Sequence, residues 1–426
     1  MWRGLYNAIV PPAMEAGLLL SVFVSGRGRR ALRGRIGEGA WLAKVRSMCR
    51  EDRPRVIVHC ASAGEMEAAL PLIEEMKLHA DADILLSHFS PSAAPRTRIV
   101  TQASGRFFLP LDTRWRVRRM LDVLEPDLIL YIKHDIWPNL TWEAADRGIP
   151  TVLVNGNFRP DSLRRKWYAR PFNREVLGSL TAIYAVADDD TDRFRETAGS
   201  GITIETVGDT RYDRVRQRAV NTLADQGALR DLLQGRMVFV AGSTWPEDQA
   251  HLLEAWAVLE KEFPRATLLI IPHEIEPHRI RRIREQAAAH GLSVEMVDEV
   301  ERDGRVGSVV IVNRMGVLAG LYGLGRIAYV GGGFGHGVHS VLEPGVFGIP
   351  VLFGPHHLMS HEARDLVRTG GGLEIADAND IIKTARQSFR GDREAVEMGR
   401  KAGELIAART GTARLLARKM TQLAHL

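Results

Sequence analysis

From residue 55 onward the chain alternates short β-branched runs with stretches of helical spacing, and no other feature restricts its fold as tightly. RVIVHC, ADILLSHFS, GRFFLPL, DLILYI, PTVLVNG, AIYAVA and ITIETVG read as strands. Between several of them VRRMLDVL, NLTWEAADRG and TDRFRETAGS carry apolar residues at helical intervals. Strands alternating with helices predict a parallel sheet covered on both faces. The rhythm then restarts with MVFVAG, TLLIIP, LSVEMV, SVVIVN, RIAYVGG and PVLFG, separated by the long helix EDQAHLLEAWAVLEKEF and the shorter LAGLYGLG. The expected class is α/β, with two Rossmann-like domains, and a chain of 426 residues is too long for one core. The first domain is read over residues 27–213 and the second over 237–401, joined through the polar, helical stretch 214–236. Residues 402–426 form a last helix with no strand after it, which either finishes the second domain or crosses back to the first. Ligands of open α/β sheets sit beyond the carboxyl ends of the strands. An active site is therefore expected in a cleft between the two domains.

The first 26 residues need a separate reading. LYNAIVPPAMEAGLLLSVFVSG is mostly apolar for about one membrane-spanning length, but Pro11, Pro12 and Glu15 interrupt it. No small-residue cleavage site follows, and the positive charges lie after the apolar run, which argues against a cleaved signal peptide. Net charge is only +5, from 57 basic and 52 acidic side chains, yet Arg27, Arg29, Arg30, Arg33 and Arg35 crowd one segment. Arginines directly behind an apolar run favour a segment in or on a membrane, with the rest of the protein on the cytoplasmic side. A helix packed on the protein's own surface is the alternative. The two cysteines, Cys49 and Cys60, suggest neither a disulfide scaffold nor a zinc site.

Five stretches could carry chemistry. In HCASAGEMEAALPLIEEMK a small-residue turn delivers Glu65 to a helix entrance just after a strand. An acid there either matches the helix dipole or serves as a general base. GSTWPEDQ opens a helix at the head of the second sheet, where Ser243 and Thr244 either cap it or help its free N–H groups hold a phosphate. GGGFGHGVHSVLEP follows the strand RIAYV. It is neither a P-loop nor a dinucleotide fingerprint, but its glycines let ligand and backbone approach closely. Glu343, in the first turn after it, either accepts ribose hydroxyls or faces the dipole. LILYIKHDIWPN places Lys133, His134 and Asp135 at a strand's carboxyl end, as site-lining groups. VGDTRYD places Arg211 near the join, as a surface arginine or a cation for a leaving phosphate. The pairs His336/His339 and His357/His361 have spacings a metal could use, but no cysteine or carboxylate joins them, and no metal is expected. Asp188, Asp189 and Asp190 read as a solvated acidic helix entrance.

Taken in order, these motifs resemble the transferases of 3-deoxy-D-manno-octulosonic acid (Kdo), membrane-associated glycosyltransferases of the GT-B fold. The likeness runs through HCASAGEMEAALPLI, FLPLDTRWRVRRMLDVLEPDLIL, IWPNL, GIPTVLVNGNF, VGDTRYD, GSTWPED, IIPHEIEPHRI, RMGVLAGLYGLGRIAYVGGGF, HSVLEP and FGIPVLFGPHH. It implies an inverting transfer of Kdo from CMP-Kdo to a lipid A precursor in lipopolysaccharide core biosynthesis, without metal or other cofactor. It implies as partners the donor, the acceptor and a phospholipid surface, and no nucleic acid. It implies a place at the cytoplasmic face of an inner membrane. The family's catalytic base lies in a Ser-x-Gly-Glu turn, matched here by Ser62 to Glu65. Its nucleotide contacts are similar to Pro272 and His273, to Met315, Gly316 and Val317, and to Ser340, Val341, Leu342 and Glu343; Ser243 joins them as a candidate from its own position opening the second sheet's helix. The chain departs from the family at KHDIWPN, where many members have Glu-Thr-Glu-Leu-Trp-Pro-Asn. The first glutamate, taken to assist the transition state, is Lys133, and Asp135 or Lys133 itself is the expected substitute. The family lysine near the join is Arg211. A transferase using a UDP-sugar, and a catalytically inactive sugar-nucleotide-binding protein, are the competing readings.

Overall fold

The computed structural model describes residues 1–24, 26–33, 35–90, 100–199, 201–223 and 227–424. It forms two units, Met1–Arg214 with Gly411–Leu426, and Val215–Thr410.

The first unit holds seven parallel strands: β1 (Arg55–His59), β2 (Asp83–His88), β3 (Gly105–Phe108), β4 (Leu128–Ile132), β5 (Thr151–Gly156), β6 (Ala182–Ala185) and β7 (Thr203–Thr206). Their order is β3-β2-β1-β4-β5-β6-β7. The chain winds outward from β1 to β3, returns to β4 beside β1, then winds the other way. Both faces are covered, so the strands are nearly all apolar, and period two divides them. Ile57, Ile129, Leu153 and Ile183 enter one core. Val56, Val58, Leu128, Leu130, Ile132, Val152 and Val154 enter the other. The second core is closed by the helix Ala63–His79 and by the terminal helix Thr412–Leu423, which contributes Leu416, Ala417 and Met420. Asp213 fastens that helix by accepting from the N–H groups of Gly411 at 2.6 Å and Ala413 at 2.9 Å. Residues 402–424 are therefore not one helix. Arg393–Ala408 ends within the second unit, and Thr412–Leu423 packs in the first.

The second unit repeats the plan with β8 (Met237–Thr244), β9 (Ala266–Pro272), β10 (Val294–Met296), β11 (Val309–Ile311), β12 (Ile327–Val330), β13 (Val351–Phe353) and β14 (Gly372–Glu374). The order is β10-β11-β9-β8-β12-β13-β14, again parallel throughout. Strand β14 has no counterpart in the sequence reading: GGGLEI is short and opens on glycines, and only its pairing with β13 makes it a strand. The stretch 214–236 holds the helices Arg211–Leu223 and Gly227–Leu232, with residues 224–226 outside the described residues. Leu229 and Leu233 are buried in the second unit's core, so its later part belongs to that core.

The N-terminal run forms the helix Trp2–Val24. Its first turns dock on the first unit. Tyr6 stacks on Phe172 at 5.7 Å, meets Trp142 edge-on, and donates its hydroxyl to Asp112 at 2.8 Å. Asn7 and Asn139 exchange amide hydrogen bonds. Farther along, Leu19, Leu20 and Phe23 are exposed. Among the described residues no helix is long and apolar enough to cross a membrane. Arg3, Asn7 and Glu15 dilute the apolar run. The basic cluster also divides. Arg29, Arg30 and Arg33 are exposed, the Arg27 side chain lies outside the described residues, and Arg35 turns inward. Arg35 donates to the carbonyls of Leu109 and Phe89, both at 3.2 Å, and lies over the Phe89 and Phe108 rings. Burial lowers its guanidinium to about 10.

Candidate active site and nucleotide site

In the first unit the winding reverses between β1 and β4, and the loops leaving their carboxyl ends carry Glu65, Lys133, His134 and Asp135. After β1 the chain turns through Cys60 and Ala61 into the helix Ala63–His79. Ser62 caps that helix, accepting from the Glu65 N–H at 3.4 Å. Glu65 reaches back, and its Oε2 accepts from the N–H groups of Ala61 at 2.6 Å and Ser62 at 3.3 Å. This is a reciprocal capping box, so Glu65 has a structural duty whatever else it does. Yet it is 96% buried (4% exposed). Its carboxyl is raised to about 7: burial first and the Asp135 charge second push it up, and the two N–H groups and Lys133 only partly offset them. A cap alone does not call for a carboxyl that takes a proton near neutrality.

After β4 the chain makes a tight turn, with Lys133 in the left-handed region at φ 69. Its N–H donates to the Val154 carbonyl at 2.9 Å. A lysine held there is strained, and the charge on its side chain bears on both Glu65 and Asp209. Two residues on, Asp135 meets His59 from the end of β1. The distance from His59 Nε2 to Asp135 Oδ2 is 3.1 Å, and the His59 Nδ1 lies 2.9 Å from the Ser87 hydroxyl at the end of β2. The Trp137 indole nitrogen is 3.1 Å from the same carboxylate oxygen. Burial raises the Asp135 carboxyl, but the bonds and charge from His59 and the Trp137 bond outweigh it, so it stays below the usual range.

The loop after β7 completes this edge. Arg211 donates from Nε to Asp209 at 2.7 Å and pairs with the same oxygen through a terminal nitrogen at 2.5 Å. Asp209 is buried. Burial raises its carboxyl, but Arg211 and Lys133 hold it below its ordinary value. Arg211 is thus not a loose surface cation. Asn155, at φ 53 near the end of β5, ties in the neighbouring Thr210.

In the second unit β8 and β12 lie side by side, and the loops at their ends are GSTW and GGGFG. Asp248 locks them together. Its Oδ2 accepts from the N–H groups of Trp245 and Gly332, both at 2.8 Å, and its Oδ1 from the Tyr329 hydroxyl at 2.5 Å. The glycine run is required by contact: a Cβ on Gly331 would run into the Ser243 carbonyl, and one on Gly333 into the Gly354 backbone. The helix Pro246–Glu262 is capped at Trp245, not at Ser243 or Thr244. Ser243 takes a left-handed φ of 53, and the Thr244 hydroxyl accepts from Gln249. Trp245 stacks on His336 at 4.0 Å and on His273 at 4.8 Å, and donates to His339 Nε2 at 3.0 Å. Pro272 ends β9, and the His273 N–H donates to the Thr244 carbonyl, which brings that segment to the same edge. Met315 and Gly316 are exposed in the turn before the short helix Leu318–Leu321, with Val317 at its N-cap. Ser340 and Val341 lead into a single helical turn, Leu342–Gly345, where Glu343 lies 3.6 Å from Arg218.

The structure thus gathers Glu65, Lys133 and Asp135 at one edge of the first sheet, with Arg211 held by Asp209. In the second unit Ser243 and His273 share a loop cluster with His336 and His339. The sequence reading missed His59, Asn155, Asp209 and Asp248. His59 was visible only as a polar residue ending an apolar strand. Asp190 corrects the solvated reading of the acidic triple: it is fully buried and accepts from the Phe158 N–H at 2.8 Å. Among the described residues no group of three or more His, Cys, Asp and Glu side chains could hold a metal ion.

Residues 32–214 match the family described as 3-deoxy-D-manno-octulosonic-acid transferase (kdotransferase). The chain is 28% identical over 373 residues to the 3-deoxy-D-manno-octulosonic acid transferase of Bordetella pertussis, covering 84% of this chain and 85% of that one. It is 26% identical over 332 residues to the enzyme of the same name from Aquifex aeolicus, covering 76% and 83%. Among solved structures it is similar to the UDP-GlcNAc 2-epimerase from Neisseria meningitidis bound to UDP-GlcNAc, with TM-score 0.63 and 14% identity over 86% of this chain and all of that one. That likeness concerns the fold, which is GT-B.

Proposed function

We propose, from its likeness to the Kdo transferases, a family of glycosyltransferases, that the chain moves Kdo from CMP-Kdo to a phosphorylated, acylated glucosamine disaccharide, a lipid A precursor. Glu65 is the general base. The acceptor hydroxyl gives its proton to Glu65 as its oxygen bonds to the anomeric carbon. The bond from that carbon to the CMP phosphate breaks, its electron pair leaves with the phosphate, and the configuration inverts. Lys133 and Arg211 supply positive charge for the departing group. Asp135 holds a compensating negative charge where many relatives carry a second glutamate. The second unit holds the nucleotide, through the turn at Ser243, the segments Pro272–His273 and Met315–Val317, and residues Ser340 to Glu343. The exposed Leu19, Leu20 and Phe23, followed by Arg29, Arg30 and Arg33, suit a protein resting on the cytoplasmic face of an inner membrane.

The observation that carries this reading is the Glu65 carboxyl, buried at the reversal point of the first sheet and poised near neutrality. Incubation with CMP-Kdo and an acylated glucosamine disaccharide, followed by mass spectrometry of the lipid, should show the mass of one or more Kdo residues added. Cytidine nucleotides should raise the melting temperature, as any ligand of the native state does. A lipid unchanged by CMP-Kdo, or protection by uridine nucleotides alone, would overturn the proposal.

A pH dependence follows from the sign of the Glu65 shift. A base must be unprotonated to act, and this carboxyl holds its proton up to about 7. Turnover should therefore rise with pH, tenfold per unit on the acid side, and level off above about 7. A flat profile between pH 5 and 7 would remove Glu65 from the rate-limiting proton transfer.

A further inference from the structure

His59 is wholly buried at the carboxyl end of β1, and nothing in the transfer chemistry uses it directly. Parallel register sets it beside Ser87 of β2 on one side and Tyr131 of β4 on the other. Its two ring nitrogens are both engaged, Nδ1 with the Ser87 hydroxyl at 2.9 Å and Nε2 with Asp135 at 3.1 Å. With the ring proton on Nε2, Ser87 donates to the ring and the ring donates to Asp135. The Trp137 indole nitrogen lies 3.1 Å from both the His59 Nε2 and the same carboxylate oxygen; with the ring proton on Nε2 the indole N–H can donate only to Asp135, so two donors converge on it. A buried imidazole fixed from both sides has one available effect, which is to orient the carboxylate at its far end and favour its charged form.

We propose that His59 is a positioning residue for the transfer: clamped between Ser87 and Asp135, it fixes the Asp135 carboxylate as a negative charge acting on Glu65 and so sets the pH at which the base works. This rests on the reading of Glu65 as the base. Two neighbouring carboxyls held in opposite protonation tendencies form a division of labour between a fixed charge and a proton acceptor. The other groups acting on the pair are Lys133, which opposes Asp135 at Glu65, and Cys60 next to Glu65. Around Asp135 stand His134, Arg164 and Asp112, and His88 lies near His59. His59 and the uncharged Trp137 bond the Asp135 carboxylate directly.

The test uses a matched pair of polar replacements in the full chain. His59→Asn places an amide near the ring's Nδ1, where it can meet Ser87 but cannot reach Asp135. His59→Gln extends an amide N–H to the position of Nε2 and keeps the bond to Asp135. Profiles of kcat/KM against pH are read for both, and for Asp135→Asn. The midpoint of the acid limb does not depend on the fraction of protein folded, so a loss of stability alone leaves it in place. Asp135→Asn removes the charge and should move the limb to lower pH by about one unit, the usual effect of losing a close like charge. His59→Asn should move it the same way, because Asp135 then takes up a proton that Glu65 gives up. His59→Gln should keep the wild-type midpoint. An unmoved limb in both His59→Asn and Asp135→Asn, or equal shifts in Asn and Gln at position 59, overturns the proposal. Retained turnover in Glu65→Gln would instead overturn the assignment of the base, a separate outcome.

Discussion

Glu65→Gln should lower the turnover of Kdo transfer by about 10²–10⁴-fold, the usual contribution of a positioned general base, while nucleotide affinity and melting temperature stay near those of the parent protein. The three readouts separate because the observed cap and the proposed base draw on different properties of one group. As a cap it needs an acceptor oxygen: both N–H groups, from Ala61 and Ser62, end on Oε2. The glutamine carbonyl oxygen can take both, so the entrance of the Ala63–His79 helix should be kept, with a change well under the ~1 kcal/mol typical of a lost cap. As a base it needs a site that binds a proton, and the amide has none at any working pH. Glu65→Ala would confuse the two by removing the cap as well. A Gln variant that keeps most of its turnover would assign Glu65 to the cap alone and leave the transfer without its base.

The second large effect is on stability. Asp248→Ala should destabilise the protein by roughly 3–6 kcal/mol, measured by urea unfolding, because three donors converge on a carboxylate that is only 1% exposed. The N–H groups of Trp245 and Gly332 and the hydroxyl of Tyr329 would each lose a buried acceptor, at about 1–2 kcal/mol apiece. Cytidine nucleotide affinity should fall too, since this carboxylate holds the GSTW turn and the glycine loop in register. Asp248→Asn separates charge from geometry. Its oxygen can serve the two N–H groups on the Oδ2 side, and its NH₂ can donate to Tyr329 once that hydroxyl rotates to accept. The loss should be under half that of alanine. Burial already raises the Asp248 carboxyl above its usual value despite the three donors, so the position asks for acceptor geometry more than for charge. Equal losses in Ala and Asn would show that the charge itself is required.

Much of the fold was legible because both faces of each sheet are buried. That condition writes strands as nearly continuous apolar runs, such as Val56 to Val58 or Leu128 to Ile132, and helices as apolar stripes between them. Strand β14 escaped because Gly372–Glu374 carries no such run; an edge strand of three residues exists only through its neighbour. For the first helix the sequence left two places open, a membrane or the protein's own surface. Its first turns dock because Tyr6, Asn7 and Arg3 meet Asp112, Asn139 and Asp146, partners more than a hundred residues away. Arg35 was read with a surface cluster because nothing local distinguishes it from Arg33, while its partners, the carbonyls of Phe89 and Leu109, lie 54 and 74 residues away.

The candidate site divides along the same line. Glu65 could be found from the sequence because its position is a local matter: a strand, a small-residue turn, a serine three residues earlier and a helix start. Lys133 and Asp135 could be found as polar groups at a strand's end. What the sequence could not supply is which of them act together. His59 meets Asp135 across 76 positions, and Asp248 meets Gly332 across 84. Both contacts exist because parallel crossovers bring distant strand ends side by side where the winding reverses. Backbone periodicity and turn chemistry are recorded in neighbouring residues, so the sequence by itself determined the two α/β units and the helix entrance that carries Glu65. The proton affinity of that carboxyl was decided only by the tertiary structure, since it depends on burial and on a charge delivered from another strand.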